Sequence, residues 1–161
     1  MSLGYFGGTT THASVIEIAF AVGMLLGGVI LSVWGGLKNR GYTIAAAILL
    51  MGLAIGLSGL LPSNGFIVFA VFCLAMGLSA PFYSGPQGAL MQEKIAPQYL
   101  GRVFGLYGSI MSFAMPLGLI LSGAFADTVG IHTWFMLSGI ACVLLSVLAF
   151  SLKSIRNIEK S

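Results

Sequence analysis

The sequence predicts an all-α, polytopic membrane protein of five transmembrane helices, and three observations predict it. Only 7% of the 161 residues are charged while 58% are hydrophobic, against about 25% charged in a soluble domain, so charge is too scarce to coat a water-facing surface. Mean hydropathy is +1.03, an apolar excess that must face lipid. The apolar residues also run in long, non-alternating stretches. At ~1.5 Å per residue, about twenty helical residues match the ~30 Å hydrocarbon core, whereas a barrel strand needs only about ten alternating ones.

The stretches fall at residues 15–33, 42–61, 66–91, 103–126 and 133–152. In the first, Glu17 is the one charged side chain inside any stretch. An intramembrane acid is a functional candidate because burying its charge costs several kcal/mol, which makes Glu17 a candidate for proton coupling. "SVIE", Ser14 to Glu17, also reads as a capping box that would start the helix, with Ser14 and Glu17 exchanging side-chain and amide hydrogen bonds. The second stretch follows "WGGLKNRGY", a basic hairpin bounded by Trp34 and Tyr42, which suit the membrane interface. In the third, Pro81 and Pro86 predict a kinked or tilted helix with carbonyls freed for a ligand. Ser79, Tyr83 and Gln87 recur there at i, i+4 and i+8, a polar stripe that either lines a cavity or bonds a neighbouring helix. Gly23 and Gly27, Gly52 and Gly56, and Gly101, Gly105 and Gly108 predict small-residue seams on the first, second and fourth helices. The fifth stretch follows "DTVGIH", which makes His132 a solvated interface residue.

Charge sets the topology. Lys38 and Arg40 lie in the first connection, Lys94 and Arg102 in the third, "QEKIAPQYLGR", and Lys153, Arg156 and Lys160 in the tail. Five antiparallel spans put all seven on one side, which the positive-inside rule makes cytoplasmic, with a cytoplasmic C-terminus. The same scatter leaves no basic stripe for nucleic acid. Cys73 and Cys142 sit in apolar runs with no Cys/His ligand spacing, so neither a metal nor another cofactor is expected. An N-terminus outside the cell, after a lead too short and polar for a signal sequence, suggests the later part of something larger.

The residues "APQYLGRVFGLYGSIMSFAMPLGLILSGAFADTVG" resemble the drug-efflux, macrolide-efflux-like branch of the major facilitator superfamily, on Pro97, Gly101, Arg102, Val103, Pro116, Leu117, Gly118, Ala126 and Asp127. The resemblance implies helices eight to twelve of a twelve-helix transporter, a partial C-terminal half lacking the first seven. It also implies a plasma-membrane protein that exports small amphipathic drugs by proton-driven rocking of two halves around a midplane cavity. "GGLKNRGY" is similar to a degenerate copy of the family's gating motif, matching at Gly36 and Arg40, with Asn39 where that motif has aspartate. Together with Lys38 and Arg102 these residues would form a loop that fixes topology. The resemblance favours a cavity-lining third helix, with Phe82 and Tyr83 stacking on a cationic drug beside Ser79 and Gln87. Without a facing half, the five helices would be expected to associate with themselves.

Two other readings stand beside it. A small membrane scaffold packing on a partner shares every compositional feature. "GLSG", Gly56 to Gly59, matches an intramembrane serine-protease pattern on Ser58, but that chemistry needs a facing histidine, and His12 and His132 both lie near the outer ends. The chain is therefore not expected to be an enzyme.

Overall fold

The computed structural model describes residues 10–36, 39–62 and 65–151. Lys38, Lys153, Arg156, Lys160 and the side chain of Asp127 lie outside the described residues. Among those described there are five helices and no strand: α1 Thr10–Trp34, α2 Arg40–Ser58, α3 Phe66–Lys94, α4 Pro97–Val129 and α5 Ile131–Ser151. All five are long and apolar enough to cross a membrane, as the apolar stretches require.

Local chemistry fixes the ends, and it corrects several expectations. Helix α1 begins at Thr10, so Ser14 sits in its second turn and its hydroxyl donates to the Thr10 carbonyl at 3.1 Å. The Ser14–Glu17 capping box is therefore not formed: both residues are interior to the helix, where serine bonds back to the preceding turn. Gly35 ends α1 at φ 73°, its N–H donating to Leu31 at 2.7 Å, a left-handed stop that only glycine takes without strain. Asn39 caps α2, its side-chain oxygen accepting from the Gly41 N–H at 2.9 Å. The residue in the place of the motif's aspartate thus does an N-cap's work, for which Asn and Asp are about equally suited.

Helix α3 runs 29 residues without interruption through Pro81 and Pro86, so the prolines do not break it. Ile95 and Ala96 alone separate it from α4. Ala96 is extended (φ −58°, ψ 139°) as a residue before proline must be, and Pro97 opens the next helix with its ring preset for the first turn. The eleven-residue connection read in "QEKIAPQYLGR" is thereby mostly helical, and Arg102 lies in the second turn of α4 rather than in a loop. Gly130, at φ 88°, is the single residue between α4 and α5.

The helices pack as α1 on α3, α3 on α2 and α2 on α5, while α4 touches α5 and α3 only lightly. Between helices in lipid, burial of apolar surface provides no drive, so close backbone approach and hydrogen bonds must hold them. Among the described residues the buried apolar core is accordingly made of small side chains, Ala45, Ala47, Ala54 and Cys73, with Phe69 the one large member. Gly23 and Gly27 lie against the backbone of Leu74 and Leu78, and Gly77 against that of Phe20. Gly52 and Gly56 meet Gly139 of α5, and the Ser146 hydroxyl crosses to the Ala45 carbonyl at 2.7 Å. The seam expected on α4 is absent from the packing: a Cβ on Gly101, Gly105 or Gly108 would meet nothing within 4 Å. The reason is that no described residue of α4 is buried.

Candidate functional site

Three helix ends converge where the described basic residues lie. Trp34 closes α1, Arg40 opens α2, and Glu93 and Lys94 close α3. The Arg40 guanidinium pairs with the Glu93 carboxylate, tying α2 to α3 at this end. Their side chains are 37% and 57% exposed, so water screens the pair and it contributes at most about 1 kcal/mol.

Two hollows open beneath the pair. The nearer, about 170 Å³, is lined by Leu31, Gly35, Arg40, Thr43 and Pro86. The deeper, about 180 Å³, shares Thr43 and continues along Trp34, Leu50, Leu78, Ser79 and Phe82. Trp34 and Phe82 face each other with ring centroids 6.5 Å apart. Thr43 is buried between the two hollows and its hydroxyl reaches the Asn39 carbonyl at 3.5 Å. Drug-sized pockets run from roughly 300 to 1,000 Å³, so neither hollow admits a drug whole. A larger hollow, about 720 Å³, lies beside Pro116 but is walled by α4 residues alone.

The sequence-predicted site residues divide accordingly. Ser79 and Phe82 meet at the deeper hollow. Ser79 is buried and its hydroxyl donates to the Met76 carbonyl of its own helix at 2.7 Å. Tyr83 and Gln87 are half-buried and line neither hollow; at about 100° per residue they turn roughly 40° and 80° away from Ser79 around α3. Pro86 and Pro81 leave the carbonyls of Phe82 and Gly77 without their i+4 donors. Glu17 is exposed on α1, seventeen residues or about 25 Å of helix from Trp34, so it and the α3 residues are not one cluster. Gly36 takes φ 80° beside Thr43, and Arg102 is exposed on α4. Thr43, and Glu93 as the partner of Arg40, were not singled out from sequence, because their roles depend on which helices adjoin.

The opposite end is held by aromatic and imidazole contacts. His12 packs edge-on against Phe66, Trp134 stacks on Phe125 with centroids 5.3 Å apart, and the Trp134 indole donates to the Ser122 hydroxyl at 3.1 Å. His132 is not solvated as expected: it is half-buried, and its Nδ1–H donates to the Gly59 carbonyl at 2.7 Å, joining α5 to α2. The buried Ser58 hydroxyl donates to the Ala54 carbonyl at 2.6 Å, so its proton goes to backbone rather than to an imidazole base. Among the described residues no group of His, Cys, Asp or Glu could hold a metal ion.

Comparison with known proteins supplies what this geometry leaves open. Residues 2–161 match the model of the family described as Major Facilitator Superfamily. The chain is 52% identical over 159 residues to macrolide efflux protein A of Streptococcus pyogenes, covering 99% of this chain and 39% of that protein. It is 56% identical over 119 residues to macrolide efflux protein A of Enterococcus faecalis, covering 74% of this chain and 37% of that one. The multidrug efflux pump Tap of Mycolicibacterium fortuitum is 32% identical over 152 residues, covering 92% of this chain and 36% of the pump. The chain thus spans about two fifths of the length of the curated relatives it matches. No solved structure matches.

Proposed function

Because the chain belongs to the major facilitator superfamily, we propose that it supplies the last five helices of a transporter that exports drug-like amphipathic compounds in exchange for protons. The observation that carries this reading is the 52% identity, over nearly the whole chain, to a macrolide efflux protein. The scaffold alternative is not favoured, because the relatives described above are efflux transporters and not scaffolds or enzymes. The drug-sized hollow beside Pro116 is walled by α4 residues alone, which agrees with the length comparison. A macrolide-sized ligand needs facing walls, and further helices of the transporter would provide them.

Orientation follows from charge. We place the basic end, with Arg40, Lys94 and Arg102, in the cytoplasm of a plasma-membrane protein, and the C-terminus with it. Cysteine introduced at Ser63 should react with an impermeant maleimide applied to intact cells, while cysteine at Asn39 should react only after lysis. Reaction of both from outside would reject the five-span arrangement.

In the assembled transporter the half-buried side of α3 that carries Tyr83 and Gln87 faces the cavity, and Glu17 on α1 takes part in proton coupling. Tyr83→Ala should then reduce efflux of some compounds about tenfold and of others little, at unchanged membrane levels, because a stacking contact of 1–2 kcal/mol discriminates between ligands. In the same assay Glu17→Gln should leave drug binding intact and uncouple efflux from the proton gradient. Uniform loss of every substrate with Tyr83→Ala, together with loss of protein, would assign Tyr83 to packing.

A further inference from the structure

We propose that the two hollows sharing Thr43 form a site for an anionic phospholipid of the cytoplasmic leaflet, with the phosphate at Arg40 and part of one acyl chain between Trp34 and Phe82. The inference requires only that the helices span the membrane, and it holds whether or not the assembled protein exports drugs.

Depth and chemical gradient point to this occupant. The outer hollow has Arg40 in its wall at the first residue of α2, at headgroup level, and the deeper one is lined almost wholly by apolar atoms. From Arg40 to Leu50, ten residues of α2 carry the wall about 15 Å into the hydrocarbon layer. A soluble anion would leave that apolar floor empty, and at about 180 Å³ the floor has room for a short run of methylenes. The rim is open to the side: Trp34 is 60% and Leu50 41% exposed. A chain can therefore enter laterally from the leaflet, while the amphipathic indole suits its interfacial end. Charge agrees. Among the described residues this end carries Arg40, Lys94 and Arg102 against Glu93, and Arg40 stands in the wall of the outer hollow while paired with Glu93. Basic pockets between helices on this side of a membrane are where phosphate headgroups bind.

Two tryptophans make the site readable. Trp134 lies in the first turn of α5 at the far end, and Trp134→Phe keeps a ring to stack on Phe125, leaving Trp34 as the reporter. The purified full chain carrying that change is reconstituted with phosphatidylglycerol or phosphatidylcholine brominated on one acyl chain, and quenching of Trp34 is measured against mole fraction. We expect phosphatidylglycerol to be preferred about fivefold, the factor given by ~1 kcal/mol per basic side chain. Arg40→Ala should abolish the preference, while Glu93→Gln should preserve or increase it by removing a carboxylate near the phosphate. A merely structural role for the Arg40–Glu93 pair would make the two variants behave alike. Ala46→Leu, which fills the deeper hollow, should lower maximal quenching by both lipids. Equal quenching by the two lipids in the Trp134→Phe chain overturns the proposal before any further variant is needed. It is likewise overturned by a preference that survives Arg40→Ala, by equal losses in Arg40→Ala and Glu93→Gln, or by quenching unchanged in Ala46→Leu. Loss of the preference when inorganic phosphate replaces chloride at fixed ionic strength would assign the mouth to a free anion and also overturn it.

Discussion

Gly77→Val should destabilise the chain by at least about 3 kcal/mol, the upper end of what overpacking costs, whereas Gly105→Val should change stability by no more than about 0.5 kcal/mol. The two positions differ only in surroundings. A Cβ at Gly77 would overlap the Phe20 carbonyl oxygen and lie 2.9 Å from its carbonyl carbon. Both are backbone atoms, so no rotamer change can relieve the clash and α1 must move off α3 as a body. Gly23 and Gly27 lie in the same α1–α3 seam, against Leu74 and Leu78, which means one added side chain loosens the whole seam. Since a domain's net stability is commonly only about 5–15 kcal/mol, this loss is a large share of it. At Gly105 nothing lies within 4 Å, and valine is at least as good a helix former as glycine. Unfolding of the purified chain by sodium dodecyl sulfate, followed by circular dichroism, measures both. Equal midpoints for the two variants would show that the α1–α3 seam does not hold the helices together.

The second large effect is an absence of activity. Expressed by itself in an efflux-deficient strain, the 161-residue chain should leave drug accumulation at the level of the empty vector. Alternating access needs two bundles moving about a shared site, and the chain spans 39% of the macrolide efflux protein it resembles. Helix α4 gives the physical counterpart: 33 residues long, with no described residue buried and a drug-sized hollow that it walls alone. Insertion does not suffer, because each helix is apolar enough to partition and the basic connections orient it. Accumulation restored by the chain alone, at membrane levels verified by blotting, would reject the proposal that further helices are needed.

How much was legible in the sequence varies by scale. The five spans were, because hydropathy over about twenty residues reports burial in lipid directly. So were the seams on α1 and α2, since repeated glycines at helical spacing mark close approach. The seam's other halves carry no such spacing signal: Gly139 is the one glycine of α5, and Gly77 has no second glycine three or four residues away on α3. Helix ends were less legible. Hydropathy stops at the membrane surface, but α3 and α4 continue through "QEKIAPQYL" until a proline and its extended predecessor interrupt them. The candidate site was readable only as a set of residues on α3. Which neighbours Ser79 and Phe82 would face depends on α1 and α2 packing against the same side, and spacing along one helix contains no such information. Ser14 and Glu17 had the right letters for a cap at the wrong depth, because α1 began a turn earlier than its apolar run.

The join between His132 and Gly59 carries one more consequence. That hydrogen bond is accepted by a neutral backbone carbonyl, so ionic strength bears on it little. The Arg40–Glu93 pair at the other end is an exposed contact between opposite charges, and salt weakens it. One end of the molecule thus has a hydrogen bond to a neutral carbonyl and the other an ion pair that yields to ionic strength. Raising salt should loosen α2 from α3 at the basic end while the join to α5 at the far end stays shut.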